Sequence, residues 1–582
     1  MTHLKRLELL RKEIKAAKLN GFVVPMSDEY QNEYVPDSAR RIEWLTGFSG
    51  SAGTVVVLAK KAAIFVDGRY VLQAKNQVDA RSYEQHNIKD TTPAEWLKSN
   101  VTAGKIGYDP RLHTQYAVER MRKSLPGIEL KPVENPIDKI WQDRPKAPNS
   151  QIMIHPLKYA GKSSAEKRKK ISTRIKENGA DACLITLPDS ICWLLNIRGA
   201  DVEFTPLALS FAIVYKDASV DFYTNPSRID YGIEKYFSAN QVRVRDIKNL
   251  EKDLARFKKR TVLMDTENTS AWFFDKLKKS GAEIIRHSDP CIMPKARKNL
   301  VEIKGARAAH LRDGVAIVKF LCWLSENSGG GKIDEIYASA MLEKFRAAND
   351  FFYSLSFATI SGFGSNGAIV HYRANKKTAK KIKGNGLYLI DSGAQYFDGT
   401  TDITRTVVIG TPTKEQKENF TRVLKGHIAI ARAKFPEGTT GGDLDALARY
   451  HLWQAGLDYD HGTGHGVGSF LSVHEGPQRI SRRGSATIRA GMIISNEPGY
   501  YKTKEYGIRI ENLVLVKKSD MKNFLEFETL TKAPIDVNLI EKNMLTAEEK
   551  EWLENYHHEV FMKLSPHLNQ PEILWLKKAI SF

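Results

Sequence analysis

Cysteine is scarce in this sequence. Only four cysteines occur among 582 residues, and no two of them have C-x-x-C spacing. A disulfide-stapled scaffold, a zinc ribbon and a dithiol redox motif are therefore excluded. We expect Cys183, Cys192, Cys291 and Cys322 to be reduced and mostly buried.

Long apolar runs are also missing. No stretch approaches the ~18–20 consecutive apolar residues that a membrane-spanning helix needs. The N-terminal residues MTHLKRLELLRKEIKAAKL interleave charges with a leucine-rich stripe, so they predict an amphipathic helix and lack the apolar centre of a signal peptide. These absences predict a cytoplasmic protein with no membrane partner.

Acidic residues are outnumbered by basic ones. Lys and Arg total 88 against 68 Asp and Glu, which gives a formal net charge of +20. Such a surplus could indicate an anionic partner such as nucleic acid. The basic residues are spread along the whole chain, however, so we interpret them as a solvated surface and do not expect a nucleic-acid partner.

The length and the changes in sequence pattern along the chain predict three domains, at residues 1–155, 156–298 and 299–582. The first begins with the amphipathic helix and continues with strand-like runs such as GTVVVLA, which is typical of an α/β unit. After a proline-rich linker, the run DACLITLPDSICWLLNIRG repeats the layout of GFVVPMSD…RRIEWLTGF, with Trp193 and Trp44 in matching places. This repetition indicates a duplicated domain, with a scaffolding or lid role.

The last domain contains a set of oxygen and imidazole groups of the kind that divalent cations prefer. The candidate ligands are Asp391 after LYLI, Asp402 before ITRT, His465 in HGTGHGVG, Glu497 after MIISN, and Glu511 in GIRIENLVLV. Asp391 and Glu511 lie in apolar runs, where an unpaired charge costs several kcal/mol. Two metals would offset four carboxylates, so this segment predicts a two-metal site.

The spacing of Asp391 and Asp402 requires a particular strand connection. A simple two-residue turn at Asp398-Gly399 would place Asp391 opposite Thr406, about 13 Å along the strand from Asp402 at ~3.4 Å per residue. We therefore expect an irregular connection, with a bulge near Gly393 or Gly399, that brings Asp391 almost opposite Asp402.

Four further residues are candidates for contact with a substrate. The glycines around His461 and His465 disfavour a helix and predict an extended or loop segment, with His474 in a second cluster nearby. His371 follows a glycine loop that spells G-x-G-x-x-G but is not followed by a helix pattern, which argues against a nucleotide site. Period two places Arg509 on the same strand face as Glu511, where it could bind substrate or pair with a metal-binding acid.

The ordered motifs HYRAN, DSGAQYFDGTTDITRT, HGTGHGVGSFLSVHEGP, NEPGYY and GIRIEN resemble those of the pita-bread metallopeptidases. Among these, the sequence is similar to the long, cytosolic type of Xaa-Pro aminopeptidase. The resemblance implies an α/β protein with two creatinase-like N-terminal α/β domains, an α+β pita-bread catalytic domain and a C-terminal extension. It also implies a homodimer and peptide substrates with proline in the second position.

The resemblance further implies a role for each candidate residue. Asp391 would bind one metal, Asp402 and Glu511 both, and His465 and Glu497 the other; the family usually holds manganese, with cobalt or zinc as alternatives. His371, His461, His474 and Arg509 match positions that surround the substrate. His371, His474 and Glu497 would take part in catalysis, with Glu497 moving the proton of a water activated between the metals.

Two other interpretations remain. An enzyme of the same fold could be a prolidase that cleaves only X-Pro dipeptides, or an aminopeptidase with a different preference. The double N-terminal region favours the Xaa-Pro aminopeptidase. A non-catalytic pita-bread protein that binds nucleic acid or protein would explain the net charge, but all five ligand positions are filled here.

Overall fold

The chain forms two compact units in a computed structural model that describes residues 1–581. The first comprises residues 1–157 and 162–292, and the second comprises residues 158–161 together with the chain from residue 293 onward. The predicted boundaries at 155/156 and 298/299 stay predictions. No helix within residues 1–581 is long and apolar enough to cross a membrane.

The first unit begins with a six-stranded sheet. Its strands are β1 (Gly21–Pro25), β2 (Thr54–Leu58), β3 (Ala62–Val66), β4 (Glu84–Asn87), β5 (Gly104–Tyr108) and β6 (Ile128–Pro132), and its helices are α1 (His3–Ala16), α2 (Arg41–Thr46), α3 (Val71–Gln77), α4 (Pro93–Asn100), α5 (Gln115–Ser124) and α6 (Pro136–Ile140). The strand order is β4-β3-β2-β1-β5-β6. Leu7, Leu10 and Ile14 of α1 are buried in this sheet's core, as the helix-period stripe predicts.

A second six-stranded sheet follows in the same unit. The strands of this region are β7 (Met153–Ile154), β8 (Ala182–Ile185), β9 (Ile197–Arg198), β10 (Phe211–Tyr215), β11 (Val220–Thr224), β12 (Val242–Asp246), β13 (Thr261–Met264) and β14 (Glu283–Arg286). Its helices are α8 (Ser164–Glu177), α9 (Pro188–Leu195), α10 (Tyr231–Ala239), α11 (Leu250–Leu254) and α12 (Ala271–Ser280), and the short helix α7 (Leu157–Ala160) belongs to the second unit except for Leu157. Its sheet order is β12-β11-β10-β8-β13-β14. Helix α8 starts with a capping box between Ser163 and Glu166, as their spacing predicts.

The two sheets have the same topology. In the first sheet, β1 pairs antiparallel with β2 and parallel with β5. In the second sheet, β8 pairs antiparallel with β10 and parallel with β13, which are the equivalent strands in chain order. Trp44 lies in α2 and Trp193 in α9, the helices that follow the first sheet strand in each copy. The predicted duplication is therefore present in the fold.

The second unit contains the candidate site. Its helices are α13 (Ile292–Ala296), α14 (Leu300–Asn327), α15 (Glu335–Ala347), α16 (Lys414–Ala431), α17 (Gly441–Trp453), α18 (Ala547–Leu564) and α19 (Gln570–Ala579). Its strands are β15 (Gly330–Asp334), β16 (Phe352–Leu355), β17 (Ile360–Phe363), β18 (Lys381–Lys383), β19 (Gly386–Ser392), β20 (Ala394–Tyr396), β21 (Gly399–Thr400), β22 (Ile403–Ile409), β23 (Lys434–Pro436), β24 (Gly464–Gly466), β25 (Glu475–Ile480), β26 (Ile493–Asn496), β27 (Gly499–Lys502), β28 (Tyr506–Arg509), β29 (Asn512–Lys518) and β30 (Phe524–Thr529).

Two sheets and one hairpin of this unit position the site. Strands β17-β19-β22 form one sheet, β23-β30-β29-β26-β24-β25 form another, and β27 pairs with β28. The apolar residues between these elements and helices α14, α16 and α18 form a continuous buried core. Because strand ends from different sheets meet here, the candidate ligands come from separate parts of the sequence.

The connection between Asp391 and Asp402 differs from the predicted bulge. Tyr396 pairs with Gly399, so the turn residues are Phe397 and Asp398, one position earlier than a turn at Asp398-Gly399. The same register continues into β19 and β22, where Asp391 lies opposite Thr404. Asp402 is therefore on the diagonal from Asp391, within side-chain reach. The shifted turn therefore brings the two aspartates together without a bulge.

The segment GIRIENLVLV is two strands and not the single strand that its pattern predicts. Strand β28 ends at Arg509 and β29 begins at Asn512, in a different sheet. The alternation is continuous because both strands are buried, so sequence periodicity does not reveal the change of sheet.

Candidate active site

Ligand atoms of Asp402, His465 and Glu511 lie within 4.8 Å of one another. His465 Nε2 is 3.4 Å from Asp402 Oδ2 and 3.4 Å from Glu497 Oε1. These four side chains come from different strand ends, yet their polar atoms converge on one place. Oxygen and imidazole donors at this separation can hold a divalent cation.

Strand β24 brings His465 into the site through close backbone contacts. A side chain at Gly464 would place its Cβ 1.9 Å from the carbonyl oxygen of Ser495. At Gly466 the Cβ would lie 2.4 Å from the carbonyl oxygen of Glu475. Only glycine allows this approach on both sides of His465. The predicted extended geometry of the segment is confirmed.

Asp391 is buried at the edge of the cluster and is incompletely satisfied. Its Oδ2 accepts a hydrogen bond from Arg509 Nη2 at 2.6 Å, while Oδ1 has no hydrogen-bond partner among residues 1–581. Burial raises the pKa of Asp391 to about 6; Arg509 opposes this rise, and the charges of Asp402 and Glu497 add to it. An orphaned buried carboxylate oxygen is an open position for a cation.

Glu511 and Glu497 are also held by hydroxyl donors. The Thr404 hydroxyl donates to Glu511 Oε2 at 2.8 Å, and the Ser495 hydroxyl donates to Glu497 Oε1 at 3.1 Å. Burial and the neighbouring carboxylates raise the pKa of Glu511 well above its ordinary value. Burial likewise raises the pKa of Glu497. The repulsion among these carboxylates is relieved either by protons or by cations.

The neighbouring carboxylates also favour the protonated form of His465. Burial alone would lower the pKa of His465, but Asp402 and Glu497 raise it to about 9. In the absence of a metal the imidazole would therefore serve as a counter-ion. The four carboxylates, one imidazole and the unpartnered oxygen of Asp391 fit two divalent cations, which would replace the protons and leave His465 neutral.

Arg509 connects Asp391 to a second histidine. Its Nη1 donates to the Tyr501 hydroxyl at 2.6 Å, and that hydroxyl lies 2.8 Å from His461 Nε2. Arg509 Nε also donates to Thr404 Oγ1 at 3.1 Å. Arg509 Nη2 also forms an ion pair with Asp391 Oδ2 at 2.6 Å, so one of the two interactions expected for Arg509 is present.

The other two candidate histidines lie on separate segments. The His474 ring is edge-on to the His465 ring, with centroids 4.3 Å apart. His371 follows Val370, whose carbonyl oxygen is 3.5 Å from Arg509 Nη2. The glycine loop before His371 is a 3-10 turn over Gly364–Ala368, and no α-helix begins there, as we expect for a segment that does not bind a nucleotide.

Sequence reasoning missed three residues of this site. Tyr501 links Arg509 to His461, Thr404 contacts Glu511, and Ser495 contacts Glu497. The only signal for Thr404 is its period-two relation to Asp402. Tyr501 and Ser495 have no distinguishing pattern, because hydroxyl residues near strand ends are common.

Helix α18, in the C-terminal part of the chain, supports the backbone of the site. Arg405 is fully buried and donates from Nη1 to the carbonyl oxygens of Glu511 at 2.7 Å and Thr404 at 2.9 Å. Its Nη2 donates to the Tyr556 hydroxyl of α18 at 2.9 Å. Helix α18 thus contacts the two strands that present Thr404 and Glu511.

This α/β architecture and its acidic and imidazole cluster define a metal-binding site of the kind that metal-dependent hydrolases use. Comparison with known families is consistent with that class. Residues 304–518 match the metallopeptidase family M24, and residues 523–581 match the C-terminal region of that family. Residues 6–140 and 143–302 each match a creatinase/prolidase N-terminal domain.

Relatives of similar length cover almost the whole chain. A probable Xaa-Pro aminopeptidase P of Talaromyces marneffei is 38% identical over 98% of this chain and 91% of its own length. Aminopeptidase P1 of Arabidopsis thaliana is 36% identical over 96% of each chain. The chain belongs to the metallopeptidase family M24, with the Xaa-Pro aminopeptidases P.

Solved structures agree with this assignment. X-prolyl aminopeptidase of Caenorhabditis elegans, described as a cytosolic enzyme with a di-nuclear active site, superposes with a TM-score of 0.95 at 33% identity and covers 100% of both chains. A prolidase of Pyrococcus horikoshii is 27% identical, with a TM-score of 0.51, and covers 64% of this chain and 99% of its own. Two creatinase-type domains followed by a pita-bread catalytic domain are therefore the fold, as predicted.

Proposed function

We propose that this protein is an Xaa-Pro aminopeptidase that hydrolyses the bond between an N-terminal residue and a following proline in a two-metal site. The observation that carries the proposal is the convergence of Asp402, His465 and Glu511 within 4.8 Å in a chain of this family. The end-to-end similarity to Xaa-Pro aminopeptidases gives the substrate class.

The proposed metal ligands are Asp391, Asp402, His465, Glu497 and Glu511. Asp391, Asp402 and Glu511 would hold the cations together with His465 and Glu497, whose polar atoms converge with that of Asp402. The unpartnered Oδ1 of Asp391 and the raised pKa values of Glu497 and Glu511 support this assignment. Hydroxyl donors at Thr404 and Ser495 orient the two glutamates, as partners of metal ligands commonly do.

When bound, the two cations supply Lewis acidity that lowers the pKa of a water molecule and polarises the scissile carbonyl. Glu497 accepts the proton from this water and returns it to the leaving proline nitrogen. A hydrogen bond from Ser495 to Oε1 fixes the orientation of this carboxylate. The chain's own contribution is therefore the placement of a base beside the attacked carbonyl.

His371 and His474 are the proposed donors to the oxygen of that carbonyl as negative charge develops on it. His461 and Arg509 contribute to substrate binding from the side of Asp391. The Tyr501 hydroxyl between them fixes both groups in one orientation. Proline has no amide hydrogen and a fixed φ, so a pocket selective for it relies on shape and on donors to its carbonyl oxygen.

For the metal we propose manganese, with cobalt or zinc as alternatives that the same ligands can hold. We place the protein in the cytoplasm, as stated for the worm relative. Metal analysis of protein purified without added metal, followed by fractionation of the source cells, tests both proposals.

We also propose a homodimer as the assembly. An apolar stripe on helix α17, formed by Leu447, Tyr450 and Trp453, is exposed by 42%, 53% and 43%. Exposed apolar residues at helical spacing favour burial against a second copy. Tyr450→Asp should shift the sedimentation profile to the monomer. Leu574→Asp, at an apolar residue 66% exposed elsewhere, should not.

The decisive experiment compares peptides after the protein has been stripped with a chelator and reloaded with manganese. We expect release of the first residue from Xaa-Pro-Yaa peptides, little release from matched Xaa-Ala-Yaa peptides and slower turnover of Xaa-Pro dipeptides. A strict preference for dipeptides would favour a prolidase. The prolidase structure covers only 64% of this chain, which argues against that outcome.

Ligand variants separate the metal site from nonspecific effects. Glu511→Gln should abolish turnover and reduce the bound metal. Glu505→Gln removes an exposed carboxylate that pairs with Lys502. This control variant should retain both the turnover and the bound metal of wild type. Full turnover by the Glu511 variant would refute the proposed metal site. If the wild-type protein bound no metal and hydrolysed no peptide but bound nucleic acid in a salt-sensitive way, a non-catalytic function would be favoured.

A further inference from the structure

The segment that follows His371 is strongly basic. Residues 373–383 contain Arg373, Lys376, Lys377, Lys380, Lys381 and Lys383, with no acidic residue. We call residues 373–383 the basic segment. Nothing in the proposed chemistry requires this charge, because the metal ligands and the donors to the carbonyl lie elsewhere.

The basic segment is held in place by a buried carboxylate at the start of helix α15. Glu335 accepts hydrogen bonds from the Tyr372 hydroxyl at 2.9 Å and from the backbone nitrogen of Lys380 at 2.9 Å. Asn366 Nδ2 donates to the same carboxylate at 3.0 Å. These bonds anchor the chain at Tyr372, just before the basic segment, and at Lys380 within it. The buried carboxylate of Glu335 therefore fixes the position of the segment.

The anchoring also places the segment beside the candidate active site. The carbonyl oxygen of Val370 is 3.5 Å from Arg509, and Arg509 pairs with Asp391. Consecutive residues span at most ~3.6 Å each, so the Cα of Arg373 lies within about 11 Å of the Cα of Val370. Lys376 and Lys377 are within about 22 Å and 25 Å by the same limit.

Most of the positive charge of the basic segment is unneutralised. Lys381 pairs with Asp334 at 3.1 Å, and Lys380 Nζ donates to the Ser365 hydroxyl. The side chains of Arg373, Lys376, Lys377 and Lys383 are exposed and make no ion pair or hydrogen bond with residues 1–581. Four exposed cations in one short segment create a positive potential that reaches roughly one Debye length, ~10 Å at 0.1 M salt.

We propose that the basic segment binds the carboxylate end, or acidic side chains near it, of a peptide whose N-terminus occupies the metal site, and so selects anionic peptides. This inference rests on the proposed aminopeptidase function. A peptide with neutral side chains has its only negative charge at the C-terminus, while its amine must lie at the metal site. The basic segment repels the amine and attracts the carboxylate, so it favours the orientation that presents the first residue for cleavage.

The distances are compatible with short peptides. The carboxylate of a tripeptide or tetrapeptide lies about 7–11 Å beyond the first peptide bond, at ~3.6 Å per residue. The Cα of Arg373 is at most about 11 Å from that of Val370, which contacts Arg509, and the guanidinium of Arg373 can hold a carboxylate by two hydrogen bonds. Lys376 and Lys377 would extend the preference to acidic residues further along the peptide.

The test compares three tetrapeptides with the metal-loaded enzyme: Ala-Pro-Ala-Glu with a free carboxylate, Ala-Pro-Ala-Ala with a free carboxylate, and Ala-Pro-Ala-Ala amide. We expect kcat/KM to fall in this order, by about tenfold from first to last at low salt, mainly through KM. The difference should shrink in 0.5 M salt, where the Debye length is only a few ångström.

The variant Arg373→Ser/Lys376→Ser/Lys377→Ser should remove the preference. Its kcat/KM for the amide should stay within twofold of wild type, while that for the acidic peptide should fall to the amide's value. The control variant Lys414→Ser/Lys522→Ser/Lys563→Ser removes three exposed lysines of the same unit and should keep the preference.

The outcomes distinguish this inference from the proposed function. Equal kcat/KM for all three peptides in wild type would overturn the role of the basic segment while leaving the aminopeptidase intact. A preference retained by the Arg373 triple variant would also overturn it. Failure to cleave any Xaa-Pro peptide would refute both proposals.

Discussion

Thr404 lies opposite Asp391 in the β19–β22 ladder, and its hydroxyl donates a 2.8 Å hydrogen bond to Glu511. It also accepts a hydrogen bond from Arg509 at 3.1 Å. Thr404 therefore joins two acidic candidate ligands that are far apart in the sequence. Its position depends on the turn at Phe397-Asp398, which sets the register of the ladder.

Thr404→Val removes this hydroxyl with almost no change in shape. We expect affinity for manganese to fall about 10–100-fold, because a partner that orients a ligating carboxylate is lost. Isothermal titration of the stripped protein measures the change. Thr411→Val, at an exposed threonine beyond the same strand, should bind metal as wild type does. Unchanged affinity in Thr404→Val would show that Glu511 needs no such support.

Metal removal should destabilise the second unit. Cations that bind only the folded state stabilise it by about 2.7 kcal/mol at a concentration of 100 Kd. Here they would also relieve repulsion among three buried carboxylates and the partly exposed Glu497. Differential scanning calorimetry should show the transition of this unit moving to higher temperature with manganese. Glu511→Gln should abolish most of that shift. A shift of equal size in the variant would place the stabilising metal elsewhere.

The buried ion pairs of Glu475, next to His474, should contribute strongly to the free energy of unfolding of the second unit. Glu475 is paired with both Lys295, at 3.2 Å, and Lys298, and all three side chains are at most 3% exposed. Glu475→Gln removes the carboxylate that pairs with both buried ammonium groups, which costs about 3–5 kcal/mol. Urea unfolding of the variant measures this loss.

The control for that prediction is an exposed ion pair of the same unit. Arg307 and Glu528 are 53% and 29% exposed, so Glu528→Gln should cost no more than about 1 kcal/mol. Similar losses in the two glutamine variants would contradict a special role for burial of the Glu475 ion pairs.

His113 in the first unit should make stability dependent on pH. Burial lowers the pKa of His113 to about 4, below the ordinary value of 6.5. The unfolded chain therefore binds a proton that the folded chain excludes as pH falls from 6.5 to 4. Stability due to neutral His113 is complete above pH 6.5 and is lost across that window, by about 3 kcal/mol at ~1.36 kcal/mol per pKa unit.

The comparison that isolates this effect uses His113→Gln, which cannot titrate. The melting temperature of wild type should fall relative to that of the variant between pH 7 and pH 4, whatever their difference at pH 7. Parallel curves for the two proteins would show that His113 is not protected from protonation.

Local patterns predicted much of the architecture. The stripe of α1, the capping box of α8 and the matching places of Trp44 and Trp193 all depend on residues close in sequence, and the structure confirms each of them. The four cysteines are free and buried, as expected. The extended segment around His465 was also predictable, because glycine disfavours a helix at any position.

Long-range pairing was less predictable. The bulge that we expected near Gly393 or Gly399 is replaced by a turn one residue earlier, and the strand expected over GIRIENLVLV changes sheet between Arg509 and Asn512. Register and sheet membership depend on which partner each strand meets. The sequence of one strand does not specify which partner strand it pairs with.

By itself the sequence determined which chemical groups are available: acids in apolar runs, histidines among glycines, and a basic segment after His371. Only the tertiary structure decided which of these groups meet. It placed Asp402, His465 and Glu511 within one cluster, paired Arg509 with Asp391 and inserted Tyr501 between Arg509 and His461. Side-chain type is a local property, whereas convergence requires strands from separate sheets to pack against each other.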